Sequence, residues 1–228
     1  MDIGNLVLSQ LDVVSALLCF VLVWFMLKPY RFTGERRFLG LPLAFSFLGV
    51  SYILGVSLLV GSSDFINAVR WLQLFTQAYA FAFLAVTYYF SKRSKDNTRL
   101  GLVVSLVVVL LVVAISYLLI IVANAYNFPG FTTVEDYLSV FNIISLTYIV
   151  VHIFRKNLSR FDSKTIWVPF CFILFDFSQY SFLIWSIDAS GVAFLGAHFL
   201  RFAGLIIFLV VAYQSFYLSG DEPKKGIE

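Results

Sequence analysis

The stretch "FCFILFDFSQYSFLIW", Phe170–Trp185, holds one acid, Asp176, in an otherwise apolar run, with Gln179 three residues later. An ionisable group inside such a run costs about 2.5–3.5 kcal/mol on insertion scales, so it faces a protein interior and has a partner. Polar residues recur at similar spacing elsewhere: Ser9, Asp12, Ser15 and Cys19; Arg70, Gln73 and Gln77; Ser139, Asn142, Ser145 and, further on, His152; His198 and Arg201. The steps are three, four or seven residues, which places each set on one face of a helix. Acids, a base and carboxamides on facing helices can pair charges and hydrogen-bond a small polar ligand.

Other chemistries lack their residues. His152 and His198 are the only histidines and fall at opposite depths, so they cannot share a haem iron. No His, Cys or carboxylate cluster has metal-ligand spacing. Ser178 has no adjacent histidine base, and no Gly-x-Ser-x-Gly elbow occurs. There is no glycine-rich phosphate loop and no basic-aromatic surface for nucleic acid. Cys19 and Cys171 lie in apolar runs, which is no disulfide framework. The sequence therefore predicts no cofactor, no metal, no nucleic-acid partner and no enzyme activity.

The elements that must position these groups are membrane spans. The chain has 228 residues, 61% hydrophobic and only 13% charged, with a mean hydropathy of +0.91. A spanning helix needs about 20 apolar residues. Seven stretches qualify, at 5–27, 38–60, 67–90, 100–122, 135–154, 166–187 and 192–217. Of 16 basic residues, 14 fall on one side: Lys28, Arg31, Arg36, Arg37, Lys92, Arg93, Lys95, Arg99, Arg155, Lys156, Arg160, Lys164, Lys224 and Lys225. The positive-inside rule then puts the N-terminus outside and the C-terminus in the cytoplasm. Trp24, Trp71, Trp167 and Trp185 fall toward span ends, as an aromatic belt requires. The acidic start, without a small-residue cleavage site, reads as an uncleaved first span. The expectation is a single all-α domain over 1–228, a seven-helix bundle with a short tail at 218–228, and any signalling enzyme on another chain.

Depth sharpens the site. At about 1.5 Å per residue, Asp176 and Arg201 reach similar mid-bilayer levels in consecutive spans, which predicts an Asp176–Arg201 ion pair. Asp12, Gln73, Gln77, Asn142 and His198 belong to the outer half, and with Gln179 they predict a polar cavity open outward. The competing expectation is that these groups only hold helices together. Asp12 and Arg70 are then outer-interface residues, and His152 a cytoplasmic-interface one.

The halves also align. "LPLAFSFLGVSY" (41–52) matches "VPFCFILFDFSQY" (168–180) with one extra residue, pairing Pro42 with Pro169, Phe45 with Phe172 and Ser51 with Ser178. "FLAVTYYF" (83–90) matches "FLVVAYQSF" (208–216), and "KPYRF" (28–32) resembles "KNLSRF" (156–161). This predicts parallel repeats of three spans joined by the apolar span 100–122, a 3+1+3 arrangement. In topology and repeat alone the chain resembles the microbial rhodopsin-like seven-helix proteins, with their relatives that serve as sensor modules for histidine kinases. It is also similar to the SWEET sugar transporters. It departs from both: the last span has no lysine for a retinal Schiff base, and no Pro-Gln pair occurs.

The functional expectation is a sensor- or receptor-like protein of the cell membrane. It binds a small ligand or senses membrane state at Asp12, Gln73, Gln77, Asn142, Asp176, Gln179, His198 and Arg201, and signals through a cytoplasmic partner. Making or breaking the Asp176–Arg201 pair is the expected switch. The alternatives are a small-solute transporter, with Pro42 and Pro169 as bending points, and an accessory subunit among other membrane subunits. Membrane lipid is a partner in each case.

Overall fold

The computed structural model describes residues 3–33, 40–57, 63–90, 131–157 and 167–217, and five helical positions at 107, 110, 113, 114 and 117. The helices are α1 (Ile3–Thr33), α2 (Gly40–Ser57), α3 (Ser63–Phe90), α4 (Phe131–Asn157), α5 (Trp167–Asp188) and α6 (Gly191–Tyr217). Helix is the form in which a long apolar segment satisfies its own backbone in lipid. α5 and α6 are joined by a tight turn in which Ala189 takes the left-handed conformation, φ 50°, and its N–H donates to the Trp185 carbonyl at 2.8 Å.

Five of the six helices, all but α3, are long and apolar enough to cross a membrane by length and composition. The chain is thus a multi-pass membrane protein. This corrects the expected seven-helix bundle and its 3+1+3 scheme: the described residues hold six helices and five candidate spans. α3 falls short because Ser63, Asp64, Asn67, Arg70, Gln73 and Gln77 crowd its first half. The 100–122 stretch, apart from its five helical positions, lies outside the described residues, as do the tail 218–228 and most of the basic loops.

The helices form a closed ring in chain order. Each packs on the next, α3 meets α4, and α6 returns to α1. The dry core fills the ring toward the end where α1 finishes. Phe208 lies 5.0 Å from Phe45 and 5.5 Å from Phe172, ring centre to ring centre, and Phe81 meets Phe175 edge-on. Leu22, Leu146, Ile149 and Leu205 fill the space between and are fully covered. Outside, Leu17, Trp24, Ile144, Phe177 and Val192 stand exposed, the inverse of a water-soluble surface and the right one for lipid.

Pro42 and Pro169 are each the third residue of their helix. Ser51 and Ser178, both fully buried, each donate to a backbone carbonyl of the following helix, Gln73 at 3.3 Å and Ala197 at 2.8 Å.

One crossing is close enough to test. A Cβ at Gly40 would collide with the Thr87 hydroxyl, which is itself held by the Phe83 carbonyl at 2.6 Å. Gly40→Ala should therefore cost about 1–3 kcal/mol by overpacking, read as a lower Tm of the purified protein. Thr87→Ala in the same chain should recover part of that loss.

Candidate functional site

The polar faces of α1, α3, α4, α5 and α6 meet at one end of the ring, where α1, α3, α4 and α6 begin and α2 and α5 finish. They enclose a cavity of about 460 Å³. Its floor is an ionic cluster joining the first and last helices. Asp12 of α1 accepts from the Arg201 guanidinium of α6, and its Oδ1 lies 3.2 Å from His198 Nδ1. Arg201 Nη2 also stands 3.0 Å from His198 Nδ1. His198 and Arg201 are one turn apart on α6, so one helix delivers both groups to one acid.

The cluster is buried, with Asp12, His198 and Arg201 at 8%, 6% and 3% exposure. Taking such charges out of water is costly unless each is paired and hydrogen-bonded. Aromatic rings complete the shielding. The guanidinium carbon sits 4.1 Å from the centre of the Tyr52 ring, a cation–π contact, and 5.7 Å from that of Phe182. His198 is met edge-on by Phe182 and Phe194. α2, which supplies Tyr52, also approaches through a glycine: a Cβ at Gly55 would stand 3.2 Å from Asp12 Oδ2 and 3.0 Å from Gln73 Nε2.

The walls are carboxamides. Asn142 Nδ2 of α4 donates to Gln179 Oε1 of α5 at 3.1 Å, and both residues are almost fully buried. Whichever way the two amides are turned, such a pair leaves one oxygen and one amino group over. Gln73, Gln77 and Ser139 continue the wall, Trp185 and Phe194 cover it, and Arg70 and Glu135 stand at the rim. Among the described residues, five buried atoms of lining residues have no hydrogen-bond partner: Gln77 Nε2, Asn142 Oδ1, Gln179 Nε2, His198 Nε2 and Arg201 Nε.

Seven of the eight residues singled out from sequence line this cavity: Asp12, Gln73, Gln77, Asn142, Gln179, His198 and Arg201. Asp176 does not. The expected Asp176–Arg201 pair is corrected: Arg201 pairs with Asp12, and Asp176 Oδ2 accepts instead from the Thr147 hydroxyl of α4 at 3.0 Å. The reason is rotation about the α5 axis. Asp176 and Gln179 are about 60° apart at 100° per residue, enough for Gln179 to enter the ring and Asp176 to stay at its rim. Asp12 is an interior residue and not an interface one, whereas Arg70 is exposed at the cavity mouth. His152 lies away from the site, beside the rings of Tyr88 and Tyr148. Sequence reading missed the aromatic cover and the Tyr52 platform. The spacing of Phe182 and Trp185, three apart and in register with Gln179, was the available signal.

No protein-family model, curated protein or solved structure matches the chain.

The pairing sets a ranking of substitutions. Asp12→Asn leaves Arg201 buried without its acid and should cost about 3–5 kcal/mol, read by thermal unfolding in detergent. Asp12→Asn with Arg201→Gln should be less damaging than Asp12→Asn alone. Asp176→Asn keeps an acceptor for Thr147 and should move the midpoint little.

Proposed function

We propose that this protein is a small-molecule receptor or sensor of the cell membrane, with the cavity between Asp12, Asn142, Gln179, His198 and Arg201 as its ligand site. The observation that carries this reading is the set of five unpartnered polar atoms on buried lining residues. Buried polar groups are normally hydrogen-bonded, and groups that serve only to fix helices would be spent on one another. The residues that carry them line a space within the usual size range of small-molecule pockets.

The chemistry of the lining describes the ligand. Gln77, Gln179 and Arg201 offer N–H donors, and Asn142 offers an acceptor. Phe182, Trp185 and Phe194 supply apolar ring faces. A compact molecule with oxygen acceptors at one end and a ring or apolar body at the other suits both. The mouth lies at the end away from Lys28, Arg31, Arg155 and Lys156, so charge bias directs it outward.

Signalling follows from where the ligand's partners sit. Gln179 is on α5, His198 and Arg201 on α6, Asp12 on α1 and Asn142 on α4. A ligand that binds one arrangement of these helices better than another shifts their populations, and a partner at the opposite end reads the shift. The switch is the Asp12–Arg201–His198 cluster, which takes the place of the pair expected from sequence.

Native mass spectrometry of the protein extracted from its own membrane tests the reading. A bound small molecule is the expected result, lost in Asn142→Leu/Gln179→Met, a change that replaces both partners of one hydrogen bond by apolar side chains of similar size and should leave stability nearly intact. Retention of the molecule by that variant, or no bound molecule at all, would sink the reading. Uptake of the identified molecule into liposomes holding the pure protein would make it a transporter instead.

A further inference from the structure

The mouth of the cavity carries two charges that the ionic floor does not use. Arg70 of α3 is exposed there and Glu135 of α4 is half-buried, and both line the cavity. Among the described residues neither makes a salt bridge, though the guanidinium is near enough to act electrostatically on the Glu135 carboxyl. Asp136, the next residue, is engaged with α5 instead, where its Oδ1 accepts from the Ser186 hydroxyl at 2.7 Å. Each charge heads a row of lining residues on its own helix. Gln73 and Gln77 follow Arg70 at three and seven residues, and Ser139 and Asn142 follow Glu135 at four and seven. That spacing keeps each row on one helix face. α3 and α4 pack on each other, so a row headed by a base stands beside a row headed by an acid.

We propose that the ligand of this cavity is a small zwitterion, with an ammonium group for Glu135 and an oxyanion, carboxylate or phosphate, for Arg70. This deepens the receptor reading and rests on it. Charge balance selects the class. At the floor Asp12 and Arg201 neutralise each other. A ligand therefore meets one further base and one further acid, both reachable from the mouth. Open to water, these two are stable as they stand. A ligand that covers them displaces that water, and each then needs a counter-charge. An anion answers Arg70 and leaves Glu135 bare, a cation does the reverse, and a neutral molecule answers neither. A zwitterion answers both. The guanidinium fork takes two oxygens in parallel, which a carboxylate or a phosphate supplies. Phe182, Trp185 and Phe194 remain for an apolar or ring body. An amino acid with an aromatic side chain has all three parts, and a phosphoethanolamine lipid headgroup has the two charged ones.

The probe is L-phenylalanine, titrated by calorimetry onto the full-length protein in dodecyl maltoside. Beside it run two relatives with one charge each, 3-phenylpropionate and 2-phenylethylamine. L-Phenylalanine should bind about tenfold more tightly than either, the worth of one hydrogen bond to a charged group. Glu135→Gln should remove its advantage over 3-phenylpropionate, and Arg70→Gln its advantage over 2-phenylethylamine. Each variant keeps the other contact, which serves as its folding control. A second arm changes the source: phosphatidylethanolamine added to the micelles should raise Tm above phosphatidylglycerol, and either variant should abolish the difference. A preference for the zwitterion in one arm, cancelled by the variants, supports the proposal and tells a free ligand from a lipid headgroup. No preference in either arm overturns it, as does a preference that survives both variants. A molecule found by native mass spectrometry that lacks one of the two charges overturns it and leaves the receptor reading standing. A zwitterion that binds but is carried into liposomes leaves the proposal standing and removes the receptor.

Discussion

The ring is closed by a salt bridge between residues 189 positions apart. Asp12 and Arg201 belong to the first and last helices, and no loop forces those helices together. Each charge is unaffordable alone at this depth, since the surrounding helices offer mostly hydrocarbon. Pairing removes the greater part of that penalty, and His198, Tyr52 and Phe182 reduce the rest. The cluster fixes register as well as adjacency. A helix of leucines and valines can slide along another with little change in packing, whereas an arginine buried against one acid and one ring cannot.

The same constraint shapes what lies on either side of it. Toward the α1 C-terminus the ring is filled by Phe45, Phe172, Phe208 and their neighbours, which need no polar partner and leave no polar space. Toward the other end the chain substitutes amides for aromatics, and the interior opens. Asn142 and Gln179 satisfy each other only in part, so the cavity wall retains hydrogen-bonding capacity. In lipid, where hydrophobic burial does not distinguish helix from solvent, such polar contacts and close backbone approaches as Gly40 on Thr87 decide which helices are neighbours.

Much of the cavity was legible in the sequence because membrane helices make polar residues conspicuous. Three- and four-residue spacing put Gln73 with Gln77 and His198 with Arg201 on single faces, and those faces do line the site. What spacing does not supply is the angle of one helix relative to its neighbours. Asp176 and Arg201 were matched by depth and by being on consecutive spans, yet α5 turns Asp176 toward α4. Asp12, the true partner, was legible as an outer-half acid but not as a neighbour, because ring closure is a property of the whole topology. Of the two expected spans not among the five, 100–122 lies mostly outside the described residues, and α3 falls short because the polar groups that build its wall lower its hydropathy below that of a membrane-crossing helix.

α5 carries both Gln179 and Asp176. Gln179 meets Asn142 at the cavity and Asp176 accepts from Thr147, three residues apart on one helix. A rotation of α5 that draws Gln179 toward a ligand must carry Asp176 across the α4 surface by a comparable arc. An acid in the middle of "FCFILFDFSQYSFLIW" is costly as a mere brace between two helices, since a serine or asparagine would bond Thr147 as well.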